Sequence, residues 1–384
     1  MTCPHCQDDA RCKGFRPRRV VGLFGPLRLW RHYYHCDHCH RGSCPRDGLL
    51  GLREHDLTPA ADQVGCLAGL LGSFADAAED ILARLAGLRL SESTVERSTE
   101  AAGNRLEQAL AEGQTLGGPQ DWAWHKDADG KTVAYVFGDS TGVGMQGPEG
   151  AAAEGRMVNV MAIANPIPQE RERWADPSRP SPPPWQARYL AALRPWSELG
   201  PVLRRQGGQV GMDRAERWIA LCDGANGLDD FLEKNFPRVE VVILDFWHAA
   251  EYLGQLSKAL HPHDEEAAEA DRGVWCHRLK HQGGAAVLAA LRGLEVRGRA
   301  ARECLQEVVT YFTNQVHRMD YPAYRAKGWC IGSGVVESVC KRVVGQRLKG
   351  AGMRWGEDGA DAVCHLRALF LSDKGQWEAF WYPN

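Results

Sequence analysis

Apolar residues recur along this chain with two different periods, and the switches between them mark its parts. VGLFGPLRLWRHYYHC, from Val21, alternates as a strand does and carries Gly25-Pro26 where a hairpin would bend. Between residues 58 and 112 the period lengthens to that of a helix. SFADAAEDILARLAG opens on Ser73, a residue suited to capping, and repeats apolar side chains every three or four positions. LSESTVERSTEAAGNRLEQAL follows after a short break, with Ser91 as its cap. Two helices joined this tightly suit a helix-turn-helix or an ordinary helical hairpin. EGQTLGGPQ then reads as a linker.

The strand period returns in KTVAYVFGDSTGVGM, which ends in polar residues and glycine, and again in RMVNVMAIANP. IPQERERWADPSRPSPPPW reads as a surface excursion, and residues 186–206 as a helix. A strand follows from Glu216 to Gly224, then the helix NGLDDFLEKNFP, closed by Pro237. VEVVILDFWH is a further strand, ending on Asp245-Phe-Trp-His248 and feeding the helix AAEYLGQLSKAL. This order predicts an α/β fold with a partly parallel sheet and helices against it. From His261 to about Ala326 the chain is charged and mostly helical, without clear strands, and reads as an insertion. SGVVESVCKR, reached through IGSG, and GEDGADAVCHLRALFLS complete the helices. The expected division is 1–53, 54–115, 116–260, 261–327 and 328–384.

Length and composition refine this picture. The 384 residues suit two or three domains, and 44% apolar with 25% charged residues suits a folded protein. A net charge of −3 argues against a uniformly basic coat protein but leaves room for a local basic surface. No run resembles a signal peptide or a membrane span, so a cytoplasmic, nucleoid-associated location is expected, with no membrane partner. Thirteen Cys are then expected to stay out of disulfides.

Six of those Cys precede Cys66, and four form equal pairs, Cys3-Pro-His-Cys6 and Cys36-Asp-His-Cys39. Two such pairs supply the four soft ligands of a tetrahedral Zn²⁺, with the hairpin of a zinc ribbon between them. His5, His38, Cys12 and Cys44 could substitute or form a second site, and reduced surface or core thiols are the plainer alternative. Arg16, Arg18, Arg19, Arg28, Arg31 and Arg41 make this segment basic and suit it to DNA contact; a solvated face or a protein-binding module would also use them.

Asp139 and Asp223 each fall where a strand ends, the usual place of α/β active sites. Glu337, on an expected helix, offers a third carboxylate, and such hard ligands suit Mg²⁺. Behind Glu337 stand Lys341, Arg342, Arg347, Lys349 and Arg354 with no acidic residue among them, as a segment gripping a phosphate backbone would require. His248 would contact phosphate, hold the leaving group or orient Asp245, or else form a structural pair with it. By spacing alone, the strand-end Asp residues serve equally well as helix caps. His365 reads as structural.

Taken in order, CPHC…YYHCDHC, GSFADAAEDILARLAG with SESTVERSTEAAG, GDSTGV, CDGANGL, DFWHAAEYL and GSGVVESVCKRVVGQRLKGAGMRW resemble the bacterial insertion-sequence DDE transposases of the Kra type, related to the Mutator-like group. The resemblance covers almost the whole chain. It implies an RNase-H-like core using Mg²⁺ or Mn²⁺ on an acidic triad, which falls on Asp139, Asp223 and Glu337. It places the group's acidic-x-x-His signature on Asp245 and His248; an alternative alignment makes Asp245 the second metal ligand. It further implies a helical insertion domain, terminal repeats and target DNA as partners, at least two subunits in a synaptic complex, and no nucleotide triphosphate. The chain departs from the pattern by opening almost on its first Cys pair and by its weakly acidic charge. The rivals are a metal-dependent nuclease without strand transfer and a zinc-ribbon DNA-binding protein with an idle core.

Overall fold

Alternation in the first forty residues becomes a long antiparallel hairpin in the computed structural model, which describes residues 1–52, 56–166, 185–224, 227–332, 339–373 and 375–382. Strands β1 (Ala10–Gly22) and β2 (Gly25–Cys36) pair so that Gly22 faces Gly25 and Leu23-Phe24 form the turn. A two-residue strand, β3 (Gly42–Ser43), joins β2. Thr58 caps the helix Pro59–Leu71. The two expected caps form: the Asp76 N–H donates to Ser73 at 3.1 Å, and the Thr94 N–H donates to Ser91 at 3.2 Å ahead of the helix Glu92–Ala111. Between them Phe74–Asp76 widens into the π-helical stretch Ala77–Leu85. Leu57, Ala61, Ala68, Ala77, Leu82, Leu88 and Val95 close the core of these helices. The chain divides into two compact units, Met1–Glu107 with Glu378–Asn384, and Gln108–Trp377.

The second unit is a mixed α/β body around a five-stranded sheet. Strands β4 (Val133–Gln146), β5 (Ala152–Pro166), β6 (Trp185–Ala192), β7 (Arg217–Cys222) and β8 (Val239–Leu244) lie in the order β6-β5-β4-β7-β8. β5 runs antiparallel to both its neighbours, whereas β4, β7 and β8 are mutually parallel. The central strand is buried from Val133 through Gly138, as a strand covered on both faces must be.

Residues 186–206, expected as one helix, are instead strand β6 followed by the helix Trp196–Gln209. Ala, Leu and Arg favour a helix in isolation. Pairing of Trp185 through Ala192 with the free edge of β5, which buries Ala187, Leu190, Ala191 and Ala192, overrides that preference. Likewise DFWH does not end a strand. β8 stops at Leu244, and Asp245 caps the helix Phe246–Leu260. The region after His261 is helical as expected, in Glu265–Arg292, Arg299–Gln315 and Tyr321–Ala326. Glu357–Leu371 forms the penultimate helix, and its Asp361 accepts the Leu193 N–H just beyond β6. The Pro-rich passage after Pro166 lies outside the described residues. None of the thirteen Cys is in a disulfide. Among the described residues no helix is long and apolar enough to cross a membrane.

Candidate functional site

The parallel register of β4 and β7 sets the geometry of the acidic site. Gly138 pairs with Cys222, the last residue of β7, so Asp139 and Asp223 each stand one residue beyond that pair. Asp139 does not end its strand as expected: β4 runs on to Gln146 because β5 continues to pair with it, Asp139 opposite Val160, and only Asp223 lies at a strand end. Gly138 is required there, because a Cβ would lie 2.6 Å from the Trp196 ring. After Asp223 the chain turns away through Gly224, whose φ of +86° suits only glycine. Asp139 is half-buried. Its Oδ1 accepts the Ser140 N–H at 2.7 Å, and its Oδ2 accepts the Cys340 thiol at 3.2 Å. Burial pushes the Asp139 carboxyl above its ordinary value and the charge of Asp223 adds to the push; the Cys340 and Ser140 hydrogen bonds and His248 oppose it.

Glu337 lies in 333–338, outside the described residues. Cys340, three positions on, heads the π-helical turn Cys340–Gly345 and touches Asp139 directly. Asp245 sits beside β7, its N–H bonded to the Cys222 carbonyl at 2.7 Å. The residue is only 6% exposed, and its carboxylate accepts the Trp247 N–H at 2.7 Å, the work of a helix cap. His248, on that first turn, faces Tyr252 and Tyr311 at ring separations of 5.6 and 5.9 Å, and its Nδ1 is 3.8 Å from Glu251. Tyr311 comes from the insertion, stacks on Tyr252 at 3.8 Å, and feels the charges of Asp223 and Asp245. Among the described residues its hydroxyl has no hydrogen-bond partner. Sequence reasoning named neither Cys340 nor Tyr311. Cys340 was findable as a polar group one helical turn after Glu337; Tyr311 carries no local signal. His365 is buried, 3.8 Å from Asp361, in keeping with a structural part.

Of the basic run, Lys341, Arg342, Lys349 and Arg354 are exposed. The Lys349 ammonium donates to the Thr141 hydroxyl, two residues along β4 from Asp139, and Arg354 donates to the Gly150 carbonyl at 3.2 Å. Arg347 departs from the DNA-contacting role expected of it. It is 2% exposed, its guanidinium lies 4.6 Å over the Trp355 ring, and it reaches the Met353 sulfur. Packing, not a phosphate, holds that side chain.

In the first unit Cys3, Cys6, Cys36 and Cys39 converge, with all four sulfurs within 4.8 Å of one another. Cys3 and Cys39 are 3.6 Å apart, as are Cys6 and Cys36. A tetrahedron with Zn–S bonds of about 2.3 Å has edges of about 3.8 Å, so the cluster could hold a zinc ion with little movement. The His5 N–H draws the Cys3 thiol down to about 7 against the effect of burial, whereas the Cys6 thiol, despite the Asp8 N–H, is pushed up to about 12 by burial and the neighbouring thiols. Cys12 and Cys44 are engaged elsewhere, near His32 and as acceptor from Arg31.

Two of the six arginines that make this segment basic are turned inward. Arg18 binds Asp47 at 3.2 Å and Asp56 at 2.9 Å, and Arg31 binds Asp47 at 2.9 Å; their side chains are 15% and 14% exposed. They staple the hairpin to the short helix Pro45–Leu49 and are not free for phosphate. Arg16, Arg19 and Arg28 remain exposed, with Arg16 over Tyr33, Arg28 over Trp30, and Arg19 directly opposite Arg28. No protein-family model matches the chain, and no curated protein matches it.

Proposed function

We propose that the chain is a DDE-type DNA transposase that cuts phosphodiesters at element ends and joins the freed 3′-hydroxyls to target DNA. The observation carrying this reading is the contact of Cys340 with Asp139. It brings the turn that begins at Cys340, three residues after Glu337, onto Asp139 of β4, next to the end of β7 where Asp223 follows. The three hard carboxylates of Asp139, Asp223 and Glu337 would then meet at one place, beside a sheet whose order and directions suit an RNase-H-like core.

Mg²⁺ or Mn²⁺ held by Asp139, Asp223 and Glu337 would activate water or a 3′-hydroxyl and neutralise the leaving oxygen. Asp139 and Asp223 would supply negative charge for that site. Lys341, Arg342, Lys349 and Arg354 would hold the DNA backbone beside it. The zinc ribbon, through Arg16, Arg19 and Arg28, and the helices after it would bind the terminal repeats. Two ends must be handled together, so a dimer or larger assembly is the working form.

The test incubates the protein with DNA carrying its own flanking ends and Mg²⁺, then maps the strands. Cut ends together with joined products support the transposase. Cuts without joining make it a nuclease. DNA binding with no cutting leaves a zinc-ribbon DNA-binding protein with an idle core.

A further inference from the structure

Both carboxylate oxygens of Asp139 are engaged by this chain, but by donors of different reach. The Ser140 N–H, at 2.7 Å on Oδ1, is local and comes with the strand. The Cys340 thiol, at 3.2 Å on Oδ2, comes from 201 residues away in sequence. With only the first bond, the carboxylate could still rock about Oδ1. The second donor fixes its plane.

The thiol is itself held firmly. Val343 and Val344 of the same turn are fully buried, and the Val343 carbonyl accepts the Arg367 guanidinium at 2.7 Å. Further along, Lys349 reaches Thr141, so β4 and this segment meet at two points. The turn Cys340–Gly345 is π-helical, a local widening that recurs at functional sites and here begins at the thiol.

We infer that Cys340 is a positioning residue, its thiol fixing the Asp139 carboxylate in the orientation that receives a divalent ion. The inference rests on the reading of Asp139 as a metal ligand. A cysteine that merely fills space would behave differently on substitution. Alanine would then be tolerated, and serine, which brings a polar group to a half-buried place, would be the worse change. A positioning thiol reverses the order, because serine keeps a donor on the same carbon and alanine has none.

The experiment titrates Mn²⁺ into the full-length, zinc-saturated protein without DNA and follows free Mn²⁺ by electron paramagnetic resonance. The Cys₄ cluster is too soft to compete for Mn²⁺, and Asp139→Asn identifies which binding belongs to the acidic site. Cys340→Ala is expected to weaken that binding about tenfold, as loss of a group supporting a metal ligand does. Cys340→Ser should restore most of it, with unchanged circular dichroism and thermal midpoint. If Cys340→Ala binds Mn²⁺ like the parent while Asp139→Asn does not, the inference fails and the metal site stands. If the parent shows no binding that Asp139→Asn removes, the metal site and the inference both fall. Should Cys340→Ala not fold, Cys340→Ser decides: a folded serine variant with binding lost by tenfold or more overturns the inference, and retained binding supports it.

Discussion

Asp139 and Asp223 are neighbours because two parallel strands keep register up to the residue before each, Gly138 opposite Cys222. Asp139 is held within β4, and Asp223 is the first residue after β7. Asp139→Asn and Asp223→Asn are each expected to reduce DNA cleavage by roughly 10³-fold, since a metal's share of transition-state stabilisation is several kcal/mol and each 1.36 kcal/mol is tenfold. DNA affinity should hardly change. Asp245 provides the contrast. Asn caps a helix about as well as Asp, so Asp245→Asn should leave both fold and cleavage near the parent values. Loss of cleavage there, with Asp223→Asn active, would move the second ligand to Asp245. Strand mapping of all three variants with one DNA substrate distinguishes these cases.

The Cys end of the hairpin has very little apolar material, since Cys3, Ala10 and Cys36 are the buried core there. A core that small would need a metal at the Cys cluster, whose binding would then contribute the folding free energy. Cys36→Ser, at a fully buried ligand position, should therefore lose one zinc per chain and unfold the hairpin. Elemental analysis gives the metal count, and amide hydrogen exchange across 10–36 reports the unfolding. Hairpin amides that stay protected in the zinc-free variant would count against a structural zinc.

Much of this architecture is legible from sequence wherever a local rule decides it. Equal C-x₂-C spacings bring sulfurs together, Ser73 and Ser91 cap because their side chains reach N–H groups three residues on, and β4, β5 and β7 are apolar runs bounded by turn residues. Sequence reasoning fails where a distant partner decides. WQARYLAA is a strand only because β5 offers an edge to it. Asp245 looked like a strand end because the helix begins immediately after it. Charge alone could not separate Arg19, which faces solvent, from Arg18 and Arg31, which meet on Asp47, a carboxylate of a five-residue helix that periodicity does not reveal. Tyr311 reaches the acidic site from an insertion helix whose placement no motif announces.

The basic run after Glu337 divides in the same way, and the division can be measured. Lys349 is exposed beside Asp139's strand, whereas Arg347 is packed over Trp355. Lys349→Gln should weaken DNA binding across all sequences and lower the slope of log affinity against log salt by about 1, the signature of one phosphate contact. Arg347→Gln should instead lower the thermal midpoint and leave that slope alone. Binding curves at several salt concentrations, paired with melting curves, separate the two.

Asp127 gives the fold a defined acid sensitivity. Its side chain is fully buried and accepts from Arg217 at 2.7 Å, from the Trp329 indole N–H at 3.1 Å and from the Lys131 N–H at 3.0 Å. Burial raises its proton affinity, but these donors outweigh it and hold the carboxyl below its ordinary value. The folded state therefore resists protonation more than the unfolded chain does. The stabilisation is complete above the ordinary Asp value of about 3.9 and is lost as pH falls through the lower folded value. Asp127→Asn removes the charge at every pH and leaves Arg217 with Asp129 and Glu240. Its thermal midpoint should lie well below the parent's at pH 7, and the gap should narrow as the pH approaches 3. A gap that stays constant over that range would mean that the Asp127–Arg217 pair contributes no charge-dependent stability.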